Sequence, residues 1–118
     1  MSAPRVEREL RELNGTSREV ARVHFGGRVV EAVTLDMADQ WDFMEIAGRQ
    51  LDNEAWVNTA LLAWSVIAID GVPIPAGAKS RDDIRRILRK LEEEGVEALQ
   101  RAFGAAPAPA ISEDAVGN

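Results

Sequence analysis

The chain has 118 residues, a formal net charge of −6, one histidine and no cysteine. This length fits a single domain, and the excess of acids disfavours nucleic-acid binding through phosphate contacts, which needs positive charge. The lack of cysteine excludes disulfides, thiolate nucleophiles and cysteine-ligated zinc, and it fits a reducing cytoplasm. The charged N-terminus predicts no signal peptide, and the longest apolar run, residues 60–69, is too short to span a membrane.

The first predicted element is a short helix over residues 2–13. Val6, Leu10 and Leu13 fall on one face of such a helix, and Asn14-Gly15 would end it. The apolar stripe is narrow and the segment is short, so a flexible arm is the alternative. We therefore assign residues 1–16 to a helical arm or flexible segment, and residues 17–103 to one globular domain.

Residues 20–25 and 28–33 predict a β-hairpin. Gly26-Gly27 can adopt the positive φ angles of a two-residue turn between them. An isolated hairpin is only marginally stable, so we expect it to pack against helices. The turn sets the register, which pairs Val23 with Val30 and Ala21 with Ala32 on an apolar face, and Arg22 with Glu31 and His24 with Val29 on the other.

Residues 36–47 predict the next helix, which Thr34 or Asp36 can cap and which Gly48 would stop. A nearly uncharged run over residues 53–69, capped by Asp52 or Asn53, predicts another. Because this run is apolar almost all round, it belongs in the middle of a bundle or inside an oligomer. The apolar stripe of the first of these helices contains Met37, Trp41 and Met44, widened by Phe43 and Ile46.

The clearest amphipathic pattern lies in residues 81–91, after a capping signal formed by Ser80 and Asp83. Residues 72–75 before it are expected to be extended, because each proline restricts the residue that precedes it. Gly95 interrupts the helix, residues 96–103 suggest a last short helix, and residues 104–118 predict a disordered Ala/Pro-rich tail. The predicted fold class is α+β, mainly α: a small helical bundle with an N-terminal β-hairpin packed on it.

No pattern in the sequence predicts catalysis, a cofactor or a metal. His24 lies beside the hairpin turn without partners nearby in sequence, so we expect a surface or half-buried strand residue. Gly26-Gly27 lacks the context of a phosphate-binding loop. The carboxylates at 82–83 and 92–94 point in different directions around a helix, which is typical of a solvated face.

Basic residues between positions 81 and 90 could mark a DNA-reading helix. The connection before them is too long for a helix-turn-helix, which uses about three to four residues. Acids also flank the stripe, so a solvated face with pairs such as Asp82 with Arg86 is the favoured interpretation.

Three aromatic residues are candidates for partner binding: Trp41, Phe43 and Trp56. The chain has only three Trp and three Phe, so each contributes strongly either to packing or to contact with a partner. Trp64 lies inside the apolar run and is assigned to the core. Trp41 and Trp56 have polar neighbours, and the sequence leaves them open between core and interface.

A series of short motifs stands in order between residues 29 and 103. They are TLDM at 34–37, MEIAG at 44–48, AW at 55–56, SVIAID at 65–70 running on into GVPIP at 71–75, the helix from Ser80 to Leu91, and EEGV at 93–96. The stretch that contains them covers about two thirds of the chain. In this order and spacing they resemble the tail assembly chaperones of long-tailed bacteriophages.

The resemblance implies a non-catalytic protein that acts in the cytoplasm of a bacterial host. Such chaperones bind the helix-rich tape measure protein, keep it soluble, help to recruit tail tube subunits and are absent from the finished particle. The expected partners are therefore the tape measure protein and the tail tube protein, and self-association is an open alternative. Binding to nucleic acid or to a membrane is not expected. The alternative is a small structural component of the virion, such as a tail or head-completion protein.

Overall fold

The structure of the protein, a computed structural model, describes residues 4–13, 15–74 and 80–103. Its strands form one antiparallel sheet in which the spatial order β1-β2-β3-β4-β5 follows the order in the chain. The strands are β1 (Arg5–Leu13), β2 (Thr16–Phe25), β3 (Arg28–Val33), β4 (Val66–Ile69) and β5 (Val72–Pro73).

Three α-helices accompany the sheet. They are α1 (Met37–Ala47), α2 (Glu54–Ser65) and α3 (Arg81–Ala102), and a 3₁₀ helix (Gly48–Asp52) joins the first two. The predicted helical bundle with a hairpin packed on it is therefore wrong, although the α+β class holds. The hairpin is the middle of a five-stranded sheet, because segments on both sides of it, each assigned to a helix from the sequence, are strands.

The predicted helix over residues 2–13 is strand β1 in its described part. All nine residues of β1 pair with β2, from Arg5 opposite His24 to Leu13 opposite Thr16. Val6 and Leu10 are four residues apart, a spacing that fits one face of a strand as well as one face of a helix. Pairing with β2 satisfies the N–H and C=O groups on one side of β1 and so decides between the two periods.

The hairpin formed by β2 and β3 confirms the predicted register. Val23 lies opposite Val30 and Arg22 opposite Glu31, as do the other two predicted pairs. Gly26 and Gly27 have φ angles of 51° and 78°, the positive values that a two-residue hairpin turn needs.

The predicted helix over residues 53–69 ends at Ser65, and the last four residues form β4. The hydroxyl of Ser65 donates a 2.7 Å hydrogen bond to the carbonyl of Leu62, one turn earlier. The chain then passes directly into Val66–Ile69, which is rich in β-branched residues that suit a strand. The sequence did not predict the change from helix to strand, because a buried strand and a buried helix have similar hydropathy.

Predicted helix caps are confirmed. Asp36 and Asp39 form a reciprocal capping box at α1, and Ser80 and Asp83 form another at α3. The side chain of Asn53 accepts a 3.2 Å hydrogen bond from the backbone N–H of Trp56 at the start of α2. These local bonds satisfy N–H groups that have no partner within a helix.

Helix α3 is interrupted at Glu92, three residues before the predicted break at Gly95. Glu92 has φ 63° and ψ 176°, outside the helical region. The guanidinium of Arg28 donates to the carbonyl oxygens of Lys90 (2.8 Å) and Leu91 (3.3 Å), beside the break. Gly95 is buried, and an added Cβ there would lie 3.0 Å from the Cβ of Leu91, so its role is to allow close packing.

The core lies between one face of the sheet and the helices. Its largest fully buried side chains are Phe43, Leu62, Ile84, Leu91, Leu99, Val23, Val30 and Val66. Val20 is also fully buried, but it lies on the opposite face of the sheet, across from Val33. Trp64 is 8% exposed, which confirms its predicted place in the core. None of the helices within the described ranges combines the length and the apolar character that crossing a membrane requires. The predicted tail, 104–118, lies outside the described residues, as does Pro75.

Candidate functional site

The most distinctive surface of the described chain is an apolar row on the outside of α1. Met37, Trp41 and Met44 are 72%, 67% and 47% exposed, and we call them the outer stripe. Their spacing of i, i+4 and i+7 places them on one face of the helix. Leu51, in the following 3₁₀ helix, is also exposed. Large apolar side chains gathered on one helix face are typical of an interaction surface.

Helix α1 is held in place by its other apolar face. Phe43 and Ala47 are buried there, 2% and 0% exposed. The ring of Phe43 stacks on Trp56 at 5.8 Å between centroids and meets Trp64 edge-on at 5.7 Å. Offset and edge-to-face contacts of this kind add to the energy of burial. The aromatic cluster therefore fixes which face of α1 the outer stripe occupies.

The structure separates the three residues predicted to bind a partner. Trp41 is exposed on the outer stripe, Phe43 is in the core, and Trp56 is half-buried behind Phe43. Phe43 of α1 and Trp56 of α2 are brought together, while Trp41 is exposed on another face of α1. Phe43 thus packs beneath the outer stripe and is not accessible to a partner. Met37 and Met44 were assigned from the sequence to the apolar stripe of this helix but not to partner binding. The structure shows that this stripe faces outwards, while Phe43 on the other side is buried.

The end of α1 is fixed by the first residue of α3. The guanidinium of Arg81 donates to the carbonyl oxygens of Ile46 (2.9 Å) and Ala47 (3.2 Å), which lack partners within the helix. Two other basic residues of α3 pair with acids three positions earlier, Arg85 with Asp82 and Arg86 with Asp83. The predicted pair of Asp82 with Arg86 is therefore wrong, but the face is solvated as expected.

A second surface is a cavity of about 1040 Å³ between α1 and the face of the sheet opposite the core. The three arginines of its lining are already paired: Arg18 donates to Asp39 at 2.5 Å, and Arg11 and Arg22 each reach Glu31 at 3.1 Å. A charged partner would have to replace these pairs. The outer stripe needs no such exchange, so we take it as the candidate site.

Glu31 is the centre of the ion pairs on this face of the sheet. Hydrogen bonds from Arg11, the larger effect, and from Arg22 hold the pKa of Glu31 below its ordinary value, against partial burial that raises it. The same network includes Glu7, whose pKa is lowered mainly by His24 at 3.1 Å and then by Arg22. His24 is thus a half-buried strand residue, as predicted, within an ion-pair network.

Replacing Glu31 by glutamine should lower the free energy of unfolding by about 1 kcal/mol at neutral pH. A carboxyl whose folded pKa lies below its unfolded value stabilises fully above the unfolded value, here near 4.5, and loses that contribution as the pH falls through the folded pKa. The difference between the wild type and Glu31→Gln should therefore vanish in acid. Urea denaturation at neutral and acidic pH tests this, with exposed Glu93→Gln as the control. A variant as stable as the wild type at neutral pH would contradict it.

No group of three or more His, Cys, Asp or Glu side chains within the described ranges is arranged to hold a metal ion. Comparison of the chain with protein-family models, with curated proteins and with solved structures finds no match. The features of the chain that bear on function are therefore the outer stripe of α1 and the sequence motifs between residues 29 and 103.

Proposed function

We propose that this chain is a non-catalytic phage tail assembly chaperone that binds the tape measure protein through the outer stripe of α1. The observation that carries the proposal is the exposure of Met37, Trp41 and Met44 on one face of a firmly packed helix. A chaperone needs apolar surface that it can cover and release, and this row supplies it. It would act in the host cytoplasm and leave before the particle is complete.

The residue types of the stripe suit a long partner with many similar helical segments. Methionine is unbranched and polarisable, so it adapts to varied apolar shapes, and tryptophan is frequent among the residues that dominate binding energy. A helix can be recognised through residues at i, i+3, i+4 and i+7 laid against such a surface. Asp42 and Glu45 are exposed on α1 beside the stripe, so a partner helix with basic residues along one edge would be favoured.

The test is capture of the tape measure protein of the same phage from cells assembling tails. A purified helical fragment of that protein should then bind the wild-type chain in calorimetry. Trp41→Ser should weaken binding by about thirtyfold or more, the loss expected for an anchor residue worth about 2 kcal/mol. Met44→Ser should weaken it less, because methionine has a smaller apolar surface.

Val72→Ser is the matched control. Val72 is 62% exposed in β5, outside the stripe, so its loss should leave affinity within about a factor of two. Equal losses for Trp41→Ser and Val72→Ser would contradict a site on α1. Mass spectrometry of purified particles completes the test, because a fixed copy number of this chain in them would favour the structural component of the virion instead.

A further inference from the structure

Strand β1 forms one edge of the sheet, and its backbone has a defined outward side. The N–H of Thr34 donates to the carbonyl of Glu19, so the odd-numbered residues of β2 bond towards β3 and the even-numbered ones towards β1. In the β1–β2 register, even residues of β2 lie opposite odd residues of β1. The even residues of β1, among them Arg8, Leu10 and Glu12, therefore direct their N–H and C=O groups away from β2.

The side chains of this edge carry no net charge that would repel a second strand of the same kind. Residues 5–13 (RVERELREL) contain three arginines and three glutamates, so the strand is neutral overall. Edges protected from pairing commonly carry charge that repels a second copy. Leu10 is 76% exposed in the middle of this edge, the most exposed of the large apolar side chains in the described chain.

Antiparallel pairing of two identical edges is symmetric about one residue, and the charges select which one. A centre at Arg8, Glu9 or Arg11 sets that residue opposite its own copy, with like charges in contact. A centre near either end of β1 leaves most of the strand unpaired. A centre at Leu10 joins leucine to leucine and sets Arg8 opposite Glu12, and Glu9 opposite Arg11, twice each.

We propose that the chain self-associates through antiparallel pairing of β1 with β1 of a second copy, centred on Leu10, to form one continuous sheet across the dimer. The even residues then exchange backbone hydrogen bonds across the new edge, as an added strand does in β-augmentation. Arg8 already donates to the carbonyl of Ala102 at 3.0 Å, but a guanidinium has five N–H donors and can also meet a carboxylate. This proposal is independent of the partner-binding function.

The test is a charge exchange followed by sedimentation equilibrium on the full chain. The wild type should shift with concentration from 12.9 kDa towards twice that mass. Arg8→Glu alone and Glu12→Arg alone place like charges opposite each other twice per dimer. Each should raise the dimer Kd by about tenfold or more. An equal mixture of the two variants restores both opposite-charge pairs, and so does the double variant, so both should return to near the wild-type Kd.

Leu10→Pro provides a second, backbone-based test. Proline is tolerated in an edge strand where the lost N–H faces outward, so this variant should stay folded by circular dichroism and be monomeric. The rescue by mixing cannot come from refolding, because each component is unchanged. A chain that stays monomeric at millimolar concentration overturns the proposal. A dimer whose Kd is unchanged by the β1 variants also overturns it, as does a dimer that is lost only with Trp41→Ser.

Discussion

Replacing Phe43 by alanine should lower the free energy of unfolding by about 3–5 kcal/mol. The ring is 2% exposed and lies between Trp56 and Trp64, in contact with both. Its removal would leave a cavity lined by two large rings that are themselves fixed by α2, so the site has little freedom to collapse. Part of the loss would also come from the two aromatic contacts. Urea denaturation followed by tryptophan fluorescence measures the change.

The matched control is Trp41→Ala on the same helix. Trp41 is 67% exposed, and surface substitutions usually change stability by no more than about 0.5 kcal/mol. The two variants therefore distinguish a residue that holds α1 in place, Phe43, from a residue that is exposed on the outer stripe, Trp41. A small loss for Phe43→Ala would mean that α1 is held by other contacts, and that the orientation of the outer stripe does not depend on the aromatic cluster.

Replacing Leu91 by alanine should cost about 2–5 kcal/mol. Leu91 is 0% exposed, immediately precedes the backbone break at Glu92, and packs against Gly95 in the next segment of α3. Its own carbonyl accepts from Arg28 of the hairpin. The side chain of Leu91 thus connects the two segments of α3, next to the point where Arg28 of β3 contacts the helix.

Hydrogen exchange can distinguish this role from simple loss of apolar volume. In Leu91→Ala, backbone amides of residues 96–102 should exchange faster than those of residues 84–88, because the second segment loses the contact between Leu91 and Gly95. Leu88→Ala is the control, since Leu88 is half-buried and its loss should cost less and leave the two segments equal. Uniform acceleration along α3 in Leu91→Ala would argue against a joint at Glu92.

Local signals in the sequence predicted the parts of the fold that short-range chemistry determines. The Gly26-Gly27 turn fixes the hairpin register within a few residues, and all four predicted pairs are present. Capping by Asp36, Asn53 and Ser80 depends on residues within one turn, and all three are present. These features need no information from distant parts of the chain.

The wrong predictions arise where one pattern of apolar residues fits both a helix and a strand. Val6 and Leu10 fit a helix or a strand, and only pairing with β2 selects the strand. Val66–Ile69 is buried as a strand, yet it continues the apolar pattern of α2 without a polar break. Tertiary contacts, which hydropathy does not contain, decide both cases.

The candidate site was predicted in part for the same reason. The helix pattern identified Trp41 as one of three aromatic candidates, but α1 has apolar residues on two sides. Packing of Phe43 against α2 decides which side is inside, and that contact joins residues distant in sequence. Met37 and Met44 become visible as surface residues only after that choice is made.

The order of the strands has a consequence for how the chain reaches its fold. Strands β1, β2 and β3 are successive neighbours separated by only two residues each, so they can form early at little cost in loop closure. Val30 of β3, however, pairs with Ile69 of β4, and the segment between these two strands contains α1 and α2. The slow step is expected to be the docking of β4, and the three-stranded intermediate before it would present an unpaired edge at β3 as well as at β1.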